Sequence, residues 1–250
     1  MTLLSRFCCL CLLCFAGPSV ATGNEWRSAA TRATLIELYT SEGCSSCPAA
    51  GAWLGALTAH DQLWRQLIPV AFHVDYWNYL GWEDSFSQPA FSARQRSYKQ
   101  QGGSKAVYTP GFIVNGREWR GFFSRASLPT AAGDKVGVLS ANWSKSEQRL
   151  RVQFQPAAAL SGPLVLYVAL LGMGIEQRVA AGENRGRRLE HDFVVLELRR
   201  QSGSARGADY RWELPLDLAS VSHQPPEAIA LWVTESGQLQ PLQATGGRLE

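Results

Sequence analysis

Beyond its first twenty residues the chain has few cysteines and no long apolar run, and each scarcity excludes something. The sequence holds six cysteines, but Cys8, Cys9, Cys11 and Cys14 crowd into the N-terminal stretch, which leaves Cys44 and Cys47. A secreted domain stapled for stability scatters many cysteines along its length, so one close pair argues for chemistry rather than stapling. No segment after residue 21 approaches the roughly 20 apolar residues of a membrane span. The formal charge is only +3, falling to +2 without Arg6, too little to argue for a nucleic-acid or membrane-surface partner. The richest basic run, Arg185-Gly186-Arg187-Arg188, is short and flanked by Glu183 and Glu190, which suits a solvated loop as well as an anion site. The four histidines, His60, His73, His191 and His223, show no ligand spacing, so neither a metal nor another cofactor is expected. There is no internal repeat and no low-complexity linker.

The first twenty-one residues have the order of a secretory signal. Arg6 supplies a positive start, Phe7 to Ala16 an apolar run, Gly17-Pro18 a helix break, and Ser19-Val20-Ala21 the small residues before a cleavage site. Cleavage is expected after Ala21, and the mature chain of about 229 residues is expected to be secreted or periplasmic. The apolar run is about half a bilayer span, which disfavours an anchor, and the bulky Leu13 before Cys14 disfavours a lipoprotein site.

Two halves follow. Thr34 to Tyr39 is a short apolar, partly β-branched run, as a buried strand requires. Pro48 to Leu67 carries Trp53, Leu57, Trp64 and Leu67 near one helical stripe. Ile68 to Val74 is a second strand, and Ser87 to Gln101 a second helix, opened by Gln88-Pro89. Gly111 to Val114 and Glu118 to Phe122 flank Asn115-Gly116, a strong hairpin signal. From residue 135 the pattern changes to six short strands, at Val136–Trp143, Arg149–Gln155, Leu164–Leu171, Phe193–Leu198, Tyr210–Leu214 and Ile229–Thr234, with a hairpin connection at Ser146-Glu147-Gln148. The expected organisation is therefore a leader over 1–21, an α/β unit with a mixed sheet over 22–133, and a β-rich, sandwich-like unit over 134–250 packed against it.

Cys44-Ser45-Ser46-Cys47 falls between the first strand and the first helix. Free N–H groups at a helix start favour an anion, and the thiolate is the nucleophile. Cys44 is therefore expected to attack and to be accessible between small serines, while Cys47, deeper in the helix, resolves the mixed disulfide. Pro48 suits a first helical turn. Glu42 opposes thiolate formation if it turns inward. Thr109-Pro110 precedes a strand, where a cis bond would present backbone to an extended substrate, so Pro110 is expected to be cis and to shape a groove. His73 ends the second strand with Asp75 on the same face. The pair suits proton transfer to the cysteines, or else a structural network beneath Tyr76, Trp77, Tyr79 and Trp82, aromatics that suit a groove wall or a small core.

E-L-Y-T-S-E-G-C-S-S-C-P from Glu37, H-V-D-Y-W-N-Y-L-G-W from His73, R-Q-R-S-Y, V-Y-T-P and G-E-N-R-G-R-R-L from Gly182 resemble the secreted thioredoxin-like family of unknown function numbered twelve twenty-three. The resemblance implies a thioredoxin fold with a strand-rich C-terminal extension, and a redox role without a settled substrate. Thioredoxins proper carry a buried acid ahead of the first cysteine that relays a proton to the second. Glu37 is the nearest counterpart, in a loop one residue longer. The expected activity is that of an extracytoplasmic thiol–disulfide oxidoreductase acting on protein or small-thiol disulfides. The alternatives are a binding or chaperone-like module with a permanent disulfide, and a thiol carrier in copper or heme-protein maturation.

Overall fold

The computed structural model describes residues 23–130, 133–221 and 224–249. The expected leader and its cysteines lie outside them, as do Ala132 at the expected boundary and His223. Strand β1 (Gly23–Arg27) is followed by β2 (Thr34–Thr40), helix α1 (Cys47–Gly55), β3 (Leu67–His73), α2 (Pro89–Gln100), β4 (Gly111–Val114), β5 (Arg117–Glu118) and the single turn α3 (Gly121–Ser124). The later half is strand apart from a 3-10 turn at Leu218–Ser220: β6 (Gly137–Ser144), β7 (Arg149–Pro156), β8 (Leu164–Gly172), β9 (Ile175–Arg178), β10 (Arg188–His191), β11 (Val194–Gly203), β12 (Ala205–Arg206), β13 (Asp209–Pro215), β14 (Ala228–Glu235) and β15 (Pro241–Arg248). Strand dominates, as a β-rich chain requires.

The helix expected over 48–67 stops at Gly55 and continues only as a 3-10 turn through Ala59. Gly51 and Gly55 weaken it and the branched Thr58 adds nothing. Trp64 then takes a left-handed backbone, φ 64°, that swings the chain into β3. Of the strand expected over 118–122 only Glu118 lies in a strand, β5, and Gly121 and Phe122 belong to the helical turn α3. By contrast, Gln88-Pro89 opens α2 as read, and Asn115 (φ 48°) and Gly116 (φ 84°) form the hairpin turn. A side chain at Gly116 would meet the backbone of Gln240 at 2.8 Å, so close approach as well as φ demands glycine there.

An eight-stranded sheet runs β15-β14-β8-β11-β3-β2-β4-β5, and a five-stranded sheet runs β1-β6-β7-β13-β12. Strands β2 and β3 are parallel, joined through α1, while β4 lies antiparallel to β2 with Gly111 opposite Tyr39. The eight-stranded sheet crosses the expected boundary at residue 133, because Val194 of β11 pairs with Ala71 of β3. β1 crosses it too, pairing with β6 in the second sheet.

Alternation along β8 and β14 explains the layers. Leu164, Leu166, Val168 and Leu170 with Ile229, Leu231 and Val233 face the five-stranded sheet and form one core. Tyr167, Ala169 and Leu171 with Ala228, Ala230 and Trp232 face the opposite way and share a core with β2, β3, α1 and α2. Strands buried on both faces lose polar alternation, which is why both read as unbroken apolar runs. Among the described residues no helix is long and apolar enough to cross a membrane.

Candidate disulfide site

Strand β2 ends at Thr40, and a tight turn carries the chain to α1. The Cys44 N–H donates to the Ser41 carbonyl at 3.2 Å and the Cys47 N–H to the Cys44 carbonyl at 3.2 Å. Cys47 opens α1, Pro48 follows it in the first turn, and Cys44 and Cys47 form a disulfide with Cα atoms 5.4 Å apart. The Ser46 hydroxyl lies 3.4 Å from the Cys44 sulfur. The pair therefore sits at the expected strand-to-helix junction.

Its exposure differs from expectation. Cys44 is 1% and Cys47 2% exposed, and only Ser45 and Ser46 face solvent. Two segments close over the turn. Gly43 lacks a side chain, which lets Trp77 lie against it; a Cβ there would stand 3.0 Å from the Trp77 Cβ. The Trp77 indole N–H donates to the Thr109 hydroxyl at 2.7 Å, linking the turn to the Thr109–Pro110 bond. From the far half of the chain, the Asn184 amide donates to the carbonyls of both Glu42 and Cys44 at 2.8 Å. The Ser45 N–H donates to Glu183 at 2.9 Å, and hydrogen bonds from the Ser45 hydroxyl and N–H hold the Glu183 carboxyl below its ordinary range. Arg187 steadies Asn184 through its side-chain oxygen at 2.9 Å.

Behind the disulfide lies a buried network. Glu42 turns inward and accepts from the Trp82 indole at 2.7 Å, while its other oxygen lies 3.0 Å from His191 Nε2. His73 Nδ1 lies 2.7 Å from Asp84 Oδ2, and the His73 and His191 rings meet edge to face at 5.1 Å. Burial pushes the His73 pKa down, but the Asp84 charge and hydrogen bond, with Glu42 nearby, outweigh it and raise the group above an ordinary histidine. Its Nε2 is buried without a hydrogen-bond partner among the described residues.

The acid paired with His73 is thus Asp84, not the expected Asp75. Asp75 instead accepts from the Ser92 hydroxyl on α2. Glu37 lies away from the cysteines. Leu38 and Thr40 face α1, so alternation turns Glu37 to the other side of the sheet, where it pairs with Arg94 of α2 at 2.8 Å. Thr109–Pro110 is cis and Pro110 is buried, in the residue before β4 pairs with the end of β2. Of the loop aromatics, Tyr76 and Trp77 pack on the core while Tyr79 is 79% exposed. Sequence reading did not find Asp84, His191 or Asn184 as partners of this site. Asn184 contacts Cys44 across 140 residues, and its only trace is the G-E-N-R-G-R-R-L run. Among the described residues no three His, Cys, Asp or Glu side chains are arranged to hold a metal ion.

The chain belongs to the family described as protein of unknown function (DUF1223), which matches residues 35–234. No curated protein matches the sequence. Two solved structures are similar. Protein AGR_C_4864 from Agrobacterium tumefaciens, an X-ray crystal structure, is 24% identical with a TM-score of 0.61, over 87% of this chain and 96% of that one. HBP35 of Porphyromonas gingivalis is 13% identical with a TM-score of 0.59, over 89% of this chain and 76% of that one. At these identities the likeness is one of fold.

Proposed function

We propose that the chain is an extracytoplasmic thiol–disulfide oxidoreductase built on a thioredoxin-like unit, exchanging the Cys44–Cys47 disulfide with a partner thiol or disulfide. The observation that carries this reading is the disulfide at the first turn of α1, where parallel β2 hands over to the helix. Parallel β2 and β3 joined through α1, with β4 antiparallel, support the thioredoxin-like assignment. The N-terminal leader supports an oxidising compartment. A short loop stabilises little by closure entropy, which favours a reactive disulfide over a staple. His73, paired with Asp84, supplies a proton donor close to the site.

Equilibrating the protein with thiol redox buffers tests this reading. A potential between about −270 and −120 mV is expected, with activity lost in Cys44→Ser; one below about −300 mV would mark a structural bond. A second reading is favoured by the near-complete burial of both cysteines: a binding module whose disulfide is permanent. It predicts the lower potential and unchanged partner capture by Cys44→Ser.

A further inference from the structure

The covering of Cys44 leaves open how a redox partner reaches the disulfide. Beneath α1 lies a cavity of about 430 Å³, within the size range of small-molecule sites. Buried Cys47, His73 and Thr40 line it, whereas Cys44 does not. Its walls are one side of α1, including Gly51, and the residues of β10 with their flanks. Both signs of charge line it, Arg187 and Arg188 against Glu190 and Asp192, although Arg187 also donates to Asn184, Arg188 pairs with Glu176 and Asp192 accepts from the Gly174 N–H. Asp84 holds His73 Nδ1, leaving the buried Nε2 unpartnered beside the cavity. Leaving a buried polar atom unpaired is costly, so a polar ligand atom there is favoured.

We propose that this cavity is the binding site of a low-molecular-mass zwitterionic thiol, or its disulfide, and that it meets the redox pair at Cys47 rather than Cys44. The inference rests on the redox reading above and names its substrate class. Charges of both signs suit a ligand carrying an amino group and a carboxylate. In the forward step the ligand thiolate attacks the Cys47 sulfur. A ligand–Cys47 disulfide forms, the Cys44–Cys47 bond breaks, and the electron pair leaves on Cys44. The proton lost by the entering thiol ends on the Cys44 sulfur, so the step balances without another oxidant or reductant. The groups facing His73 during this exchange are Asp84, Glu42 and His191.

Gly51 gives the test its variant. A side chain there meets nothing within 4 Å, so Gly51→Leu projects into open space on the cavity wall, in a helix that leucine favours. Glutathione disulfide is offered to Cys44→Ser, and the adduct is mapped by mass spectrometry. The expected result is modification at Cys47 that saturates with concentration and slows by about tenfold or more in the Cys44→Ser, Gly51→Leu double variant. Circular dichroism verifies that the variants are folded. Modification linear in concentration and indifferent to Gly51→Leu overturns the proposal. So does a Cys47→Ser protein whose Cys44 thiolate forms mixed disulfides with glutathione disulfide, or with the disulfide of an oxidised protein, faster than Cys44→Ser forms them at Cys47. The redox-buffer equilibrium of the wild type stands apart from these outcomes, so loss of the cavity proposal and loss of the redox reading are told apart.

Discussion

Asp84 is held by three groups at once. His73 Nδ1 lies 2.7 Å from one oxygen, the Glu42 N–H donates to that same oxygen at 2.9 Å, and the Phe86 N–H donates to the other at 3.0 Å. Burial raises its pKa, but the His73 charge and hydrogen bond, with those two N–H donors, bring it below the ordinary aspartate value of 3.8. Asp84→Asn should cost about 3–5 kcal/mol in urea unfolding, because it strands a charged histidine in the interior. The pair also fixes a pH window. The folded pKa of His73 lies above its unfolded 6.5, so its contribution is fully present below pH 6.5 and is lost as pH rises through the raised value. That of Asp84 is depressed, so its contribution holds above 3.8 and is lost as pH falls through the lowered value. Stability measured by urea titration should decline on the alkaline side of 6.5 in the wild type and lose most of that decline in Asp84→Asn. At this scale the sequence was half legible. His73 stood out as a polar end to an apolar strand, but Asp75, two residues away, was a natural partner only if local spacing governed. The chain folds Asp84 back over eleven residues instead.

The segment from Gly182 to Arg187 acts on the site as a cover. Asn184 spends both amide hydrogens on carbonyls of the cysteine turn, and Glu183 occupies the Ser45 N–H near the helix start. Asn184→Ala removes two buried hydrogen bonds and should cost about 1–3 kcal/mol. Reduction of the disulfide by a bulky phosphine, followed by thiol labelling, should quicken by about tenfold in that variant if opening of the cover limits access. An unchanged rate would show that the turn is reached without moving this segment. The strands feeding the site were legible because burial on one or both faces leaves a period of two or a solid apolar run. The cover was not, since it has neither period: its order comes from capping carbonyls that lie far off in sequence. The same reason hid β9 and β10, which are short and polar on one side.

Taken whole, the two halves of the chain meet around one guanidinium. Arg94 projects from α2 and lies within 5.5 Å of the ring centres of Phe72 and Tyr98, and within 5.4 Å of those of Tyr167 and Trp232. The first two come from the α/β half, the last two from β8 and β14. Its charge is met by Glu37, which also accepts from Tyr39 and Tyr98. Burial pushes the Arg94 pKa down, but Glu37 above all holds it well above its ordinary value; burial, with Glu37, pushes Tyr39 and Tyr98 up. The acid that sequence placed near the cysteines therefore anchors the shared core on the opposite face of the sheet. Glu37→Gln and Arg94→Met should each cost about 3–5 kcal/mol, since each leaves the other charge buried and unpaired. The double variant should cost less than the sum by about 1–3 kcal/mol, the signature of direct coupling. Because Arg94 contacts rings from both halves, the loss should lower one shared transition, not release one half ahead of the other. Far-ultraviolet dichroism follows the strands, and hydrogen exchange read peptide by peptide follows α1 and α2 on one side and β6, β7 and β13 on the other. A single transition shared by all these segments is expected in wild type and, at lower denaturant, in Arg94→Met. Helices that open ahead of the later strands would mean that the continuous sheet does not bind the halves into one cooperative unit.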